Sequence, residues 1–247
     1  MISLRTWKKA NRVSPEGKRA GHIITLRAVS KVYKVDGGAS VTAARDVNLA
    51  VREGEFIVIT GRSGAGKTTL LNLAAGLTRP SAGEVLIDGV DIWRLGDREQ
   101  ALLRNQKIGF VFQFPSLLSS LTALENVVLP TMFGPKEARE GALHRAAGLL
   151  HDVGLGEKMD AYPRQLSAGQ QKRVVIARSM INRPEILIAD EPTGDLDEQT
   201  EREVMDLLRA AHEAAGLTVL LVTHNRNLVP YATRHLELAD GSIVAGS

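Results

Sequence analysis

Glu55-Phe56-Ile57-Val58-Ile59-Thr60-Gly61-Arg62-Ser63-Gly64-Ala65-Gly66-Lys67-Thr68-Thr69 reads as a strand that runs through a glycine-rich turn into a helix. Phe56 to Ile59 are apolar without alternation, the pattern of a strand covered on both faces, and such strands belong to parallel sheets. Residues 61–68 fit GxxxxGK[ST], with the preceding strand and following helix that this motif requires. Glycine lets the backbone wind closely round phosphates and enter conformations closed to residues with a Cβ. The exposed N–H groups then face the anion, helped by the positive end of the helix dipole. In this role Gly61, Arg62, Ser63, Gly64, Ala65, Gly66, Lys67, Thr68 and Thr69 form a cradle for a nucleotide's phosphates. Lys67 neutralises the β- and γ-phosphates, and the Thr68 hydroxyl ligates magnesium. Taken alone, the loop specifies a nucleotide and nothing finer.

Outward from this loop the text alternates between strands and helices. Strand patterns fall at 23–33, 41–51, 85–87 and 108–112, with a turn signal at Asp36-Gly37-Gly38. The helix after the loop is expected to run to about Leu77. From about 116 to 181 helical patterns dominate, at 124–130, 137–153 and 168–181. After Pro184 the alternation returns: strand 186–189, helix 198–215, strand 217–222 and short strands at 236–238 and 243–244. This is an α/β chain with a P-loop core and a mostly parallel sheet. The expected organisation is a flexible basic extension over 1–21 and one domain over 22–247, with a helical subdomain inserted at about 114–181.

Composition agrees with a globular protein: 247 residues, 44% hydrophobic and 24% charged, which excludes wholesale disorder. Cysteine is absent, so thiolate chemistry and disulfides are excluded. No apolar run reaches the ~20 residues of a membrane span, and no apolar stretch follows the basic N-terminus as in a secretory signal. The net charge of +3 is unevenly spread. Residues 1–20 hold six basic residues against Glu16 alone, a net of +5, and the remaining 25 basic and 27 acidic residues give −2. The rest of the chain is therefore near neutral, and no nucleic-acid partner is expected. The tail reads as solvated, or else as touching anionic lipid headgroups, where each basic residue contributes about 1 kcal/mol.

Two more segments carry chemistry. Ile186-Leu187-Ile188-Ala189-Asp190-Glu191 is an apolar strand ending in two acids. Asp190 is placed to hold magnesium. Glu191 is placed to accept a proton from an attacking water. Leu166-Ser167-Ala168-Gly169-Gln170 opens a helix, with Ser167 as a natural N-cap. A serine hydroxyl and small residues at a helix start make a second anion site, which is useful if it serves another subunit's nucleotide.

With these motifs in order, the chain resembles the ATP-binding cassette (ABC) ATPases from about residue 23 to 244. Gln113 matches the family's Q-loop, and LSAGQ matches its LSGGQ signature with Ala168 in place of the first glycine. Gly194-Asp195-Leu196-Asp197 matches the D-loop, usually SALD, and His224 the switch histidine. Tyr33 matches the aromatic that stacks on adenine. The resemblance implies the ABC ATPase fold: a P-loop core, an N-terminal antiparallel β subdomain and an inserted α-helical subdomain. It implies hydrolysis of ATP with magnesium held by Thr68, Gln113 and Asp190, and catalysis by Glu191, His224 and Gln113. It also implies a head-to-tail dimer, in which Ser167, Gly169 and Gln170 face the partner's ATP and Asp195 and Asp197 border the nucleotide.

Phe110-Val111-Phe112-Gln113, Leu121-Thr122-Ala123-Leu124-Glu125-Asn126-Val127 and Asp190-Glu191-Pro192-Thr193-Gly194-Asp195 resemble the branch that serves lipoprotein release and the export of macrolides and antimicrobial peptides. Separate membrane permease subunits are implied, docking near Phe114, Pro115, Ser116, Leu117 and Leu118. The expected location is cytoplasmic, peripheral on the inner face of the membrane. A cell-division ATPase that drives a membrane partner without moving a substrate, or an importer ATPase, is the alternative.

Overall fold

The computed structural model describes residues 21–34 and 40–246, so all but the last residue of the basic extension over 1–21 and the Asp36-Gly37-Gly38 turn lie outside the described residues. The strands are β1 (His22–Lys34), β2 (Ser40–Arg52), β3 (Phe56–Thr60), β4 (Ala82–Ile87), β5 (Val90–Asp91), β6 (Ile108–Val111), β7 (Ile186–Asp190), β8 (Thr218–Thr223), β9 (Arg234–Ala239) and β10 (Ser242–Gly246). The helices are α1 (Lys67–Ala74), α2 (Asp97–Lys107), α3 (Ala123–Val128), α4 (Lys136–Arg139), α5 (Ala142–Asp152), α6 (Ala168–Met180) and α7 (Glu198–Ala215). No described helix is long and apolar enough to cross a membrane. The described chain forms two compact units, one of residues 21–101 and 218–246 and one of 102–217.

In the first unit β2, β1, β4 and β5 form an antiparallel sheet in that order. Over residues 47–52 strand β2 alternates, burying Val47, Leu49 and Val51 and leaving Asn48 and Arg52 exposed, as a sheet with one wet face requires, and β1 buries Ile23, Ile24 and Leu26. The same unit holds β3 between β8 and β9, both parallel to it, with β10 antiparallel on β9. Every residue of β3 and β8 is buried. The unbroken apolar text of these strands thus reflects cover on both faces, and each fully buried Val, Leu or Ile contributes about 1.5–3 kcal/mol.

In the second unit β6 and β7 pair in parallel, and α3 to α6 lie between them in the chain. Helices α3, α5 and α6 pack on one another, and α6 also packs on β6. Helix α7 runs 18 residues from an Asp197 cap to Gly216, whose φ of 62° suits glycine at a helix end.

Three sequence expectations shift for local reasons. Helix α1 stops at Ala74 rather than near Leu77, because Gly76 turns left-handed at φ 63° and the Leu77 N–H bonds back to the Asn72 carbonyl at 2.8 Å. The pattern over 137–153 is two helices, since Gly141 at φ 61° separates α4 from α5. Helix α2 was absent from the sequence reading because it buries no residue and so carries no apolar stripe.

Candidate functional site

Each unit carries candidate site residues, and parallel register assembles each set. In the first unit Thr60 of β3 stands opposite Thr223 of β8. The phosphate-loop sequence and His224 therefore leave adjacent strands at the same edge. The loop's glycines have different physical reasons. A Cβ on Gly66 would lie 2.1 Å from the Ala43 carbonyl oxygen, and one on Gly61 would lie 2.4 Å from that of Leu238. Those two are required by close packing of the loop on β2 and β9. Gly64 meets nothing within 4 Å, and its φ of 79° is what calls for glycine.

Helix α1 starts at Lys67 with neither a side-chain cap nor an acid in its first turn. Its first N–H groups and positive dipole end are directed at the loop without a competing carboxylate, which is the chemistry of an anion cradle. Lys67 is 9% exposed, and its Nζ donates to the Gly61 carbonyl at 2.9 Å and the Arg62 carbonyl at 3.1 Å. Arg62, Ser63, Gly64 and Thr68 are exposed along the loop, while Ala65 is buried and Thr69 is half-buried. His224 is exposed. Tyr33 is 39% exposed, with Lys31 Nζ 5.0 Å from its ring centroid, a cation–π distance.

In the second unit Val111 of β6 pairs with Ala189 of β7. Phe112 and Gln113 thus leave the sheet beside Asp190 and Glu191. Gln113 is exposed, and Asp190 and Glu191 are half-buried. Glu191 has a φ of 44°. A non-glycine residue in the left-handed region carries strain of about 1–3 kcal/mol, and such strain gathers at functional sites. The turn after it is closed by Gly194 N–H to the Glu191 carbonyl at 3.3 Å and Leu196 N–H to the Thr193 carbonyl at 3.0 Å. The Thr193 hydroxyl donates to Glu201 at 2.8 Å. Asp195 is exposed. Asp197 caps α7: it accepts from the Thr200 N–H at 3.0 Å and the Thr200 hydroxyl at 2.7 Å. Those bonds to Thr200, the hydroxyl's foremost, hold its carboxyl below the usual range.

The signature turn is self-braced. Ser167 Oγ accepts from the Gln170 N–H at 3.3 Å, and Gln170 Oε1 accepts from the Ser167 N–H at 3.0 Å, a capping box at the start of α6. Gly169 is buried, and a Cβ there would lie 2.5 Å from Thr200 Cγ2. Ala168 is exposed, so the one departure from the family signature falls where a methyl faces outward.

The sequence reading missed three residues that hold the segment after Gln113. Lys172 is 2% exposed and bonds the Phe112 and Gln113 carbonyls. Burial pushes its ammonium down from the ordinary lysine range, and the charge of Asp195 partly restores it. Arg178 donates to the Pro115 and Ser116 carbonyls, and burial lowers its guanidinium as well. Asn126, fully buried, accepts from the Leu118 N–H and donates to the carbonyls of Leu118, Leu121 and Thr122. A signal for Lys172 was present in the text: it falls on the apolar period of α6 with Gly169, Ile176 and Met180. Around this segment Phe112, Phe114 and Leu118 are exposed, Phe114 at 68%.

Comparison with known proteins identifies the family. Residues 44–194 match a family model described as ABC transporter. An ABC transporter ATP-binding protein of Thermotoga maritima is 47% identical over 221 residues, covering 90% of this chain and 93% of that one. The lipoprotein-releasing system ATP-binding protein LolD of Syntrophus aciditrophicus is 42% identical over 222 residues, covering 90% and 99%. Among solved structures, a dimeric post-hydrolysis state of the ATP-binding cassette MJ0796 bound to ADP and phosphate matches with a TM-score of 0.80 and 40% identity, covering 91% of this chain and 97% of that one.

Proposed function

The chain belongs to the ABC transporter family as an ATP-binding, ATP-hydrolysing subunit, and from that premise we propose which residues carry the reaction and what it drives. The observation that carries the reading is the parallel register of β6 and β7, Val111 against Ala189, which brings Gln113 out beside Asp190 and Glu191. Glu191 accepts a proton from the water that attacks the γ-phosphate, and Gln113 orients that water. The loop N–H groups and Lys67 hold the phosphates, and His224 donates to the γ-phosphate. Tyr33 stacks on adenine with its exposed face. Thr68, Asp190 and Gln113 offer the hydroxyl, carboxylate and amide oxygens that suit magnesium, and the bound ion neutralises phosphate charge.

Two copies sandwich ATP head to tail, with Ser167, Gly169 and Gln170 of one copy facing the nucleotide of the other. Asp195 and Asp197 border the same nucleotide. The exposure of Ser167 and Ala168, on a turn braced by its own capping box, supports this. The dimeric state of the MJ0796 cassette supports it as well. Closing and opening of the dimer drives separate membrane permease subunits on the cytoplasmic face of the membrane, since ATP binds the closed and open states unequally. The permease docks near Phe114 to Leu118, where exposed aromatic and aliphatic side chains suit a helix laid in a groove. The likeness to LolD supports lipoprotein release or export as the driven process.

Glu191→Gln tests the catalytic assignment. It should keep ATP binding, lower turnover by about 10²–10⁴-fold and accumulate an ATP-bound dimer in size-exclusion chromatography. Undiminished turnover would remove Glu191 from the mechanism.

A further inference from the structure

Five consecutive carbonyls leave β6, and each is met by a side chain. Lys172 Nζ donates to the Phe112 carbonyl at 3.1 Å and to the Gln113 carbonyl. Ser116 Oγ donates to the Phe114 carbonyl at 3.2 Å. Arg178 donates to the Pro115 carbonyl at 3.1 Å and the Ser116 carbonyl at 2.8 Å. Loop carbonyls are ordinarily met by water or by nearby N–H groups. Here two cations of one helix, α6, replace them, and α6 is the helix that Ser167 opens.

The choice of a lysine is informative. At 2% exposure an ammonium loses its hydration, and only good charge-assisted bonds offset that loss. An apolar chain of similar length would fill the same space without the loss, and replacements of this kind are often neutral or stabilising. The lysine is therefore an expensive way to pack a helix and an effective way to fix two carbonyls.

We propose that Lys172 is a positioning residue for ATP hydrolysis. It clamps the Phe112 and Gln113 carbonyls to the second turn of α6, so that the Gln113 side chain and the Ser167–Gln170 turn are set by one rigid element. Lys172 touches neither nucleotide nor water; it acts through the backbone of Gln113. The inference rests on the role given to Gln113 above.

The test is a double-mutant cycle with two readouts, steady-state ATP hydrolysis and equilibrium ATP binding. Lys172→Met should lower kcat by about 10–100-fold, the range for loss of a supporting hydrogen bond behind a reacting group. ATP affinity should stay within about twofold, because only differential transition-state interactions are lost, and the thermal midpoint should not fall. Added to Gln113→Ala, Lys172→Met should cause no further loss, since both act through one side chain. Lys172→Gln, which keeps an N–H donor, should recover part of the rate, and it carries the same cycle if Lys172→Met fails to fold. Wild-type kcat in Lys172→Met would overturn the inference. So would losses that multiply in the double variant, or a rate that merely follows the thermal midpoint. Wild-type turnover in Gln113→Ala would instead overturn the reading of Gln113, so the two failures are distinguishable.

Discussion

Lys67 donates its ammonium to the carbonyls of Gly61 and Arg62, and Lys172 donates its own to those of Phe112 and Gln113. In each region these are the first two residues beyond a parallel strand, β3 in one and β6 in the other. Both lysines are buried, at 9% and 2% exposure. The chemistry is the same and the chain separation is not. Lys67 braces its own loop from five and six residues away, whereas Lys172 reaches back across 60 and 59. A bond inside a motif holds that motif's shape and is available to be traded for a phosphate. A bond between motifs makes two of them move together. On the proposed mechanism the first belongs to binding and the second to coupling.

Three substitutions, set beside Lys172→Met, test this contrast further, and they fall in a definite order. Gly66→Ala should have the largest effect, about 3 kcal/mol or more of lost stability, because a left-handed φ and a clash with a backbone carbonyl add; thermal melting measures it. A variant as stable as the parent would show that the loop can withdraw from Ala43. Lys67→Ala comes next. It should weaken ATP binding about 10–100-fold, the worth of one charge-assisted hydrogen bond, by equilibrium titration. Lys172→Met should leave the same titration almost unchanged, and equal losses in both would erase the distinction drawn here. Gly64→Ala should have the smallest effect, about 1–2 kcal/mol from backbone conformation alone, since nothing lies within 4 Å of its Cβ. If Gly64→Ala proved as damaging as Gly66→Ala, the two glycines would share one reason instead of having two.

Much of the fold was legible in the text because burial on both faces leaves a run without alternation. Residues 56–59 and 218–222 read as strands for that reason, and both are fully buried. Helix α7 was legible end to end, because Asp197 caps it, Gly216 closes it and its apolar stripe is strong. Helix α2 was not, since a helix that buries nothing has no stripe to show. The break at Gly141 was missed because the apolar spacing carries on through a single left-handed residue. In the candidate site, motif spacing points to the loop 61–69, Gln113, Ser167, Asp190, Glu191 and His224. It does not point to Lys172, Arg178 and Asn126. Their partners are backbone N–H and carbonyl groups, which have no letter in a sequence.

The sequence by itself determined that a strand would feed a glycine-rich loop, that two acids would end another strand, and that a capped helix would open within the signature. Each of these follows from neighbours a few residues apart, where backbone geometry and capping chemistry act directly. The tertiary structure decided the rest. Parallel register alone sets Thr60 against Thr223 and Val111 against Ala189. Close approach of Ala43 and Leu238 gives Gly66 and Gly61 reasons beyond the ligand. Folding also brings α6 against the end of β6, where two cations take over five carbonyls' worth of bonding together with Ser116. A hydrogen bond to a backbone group depends on where the chain returns, and that is set by packing rather than by residue type.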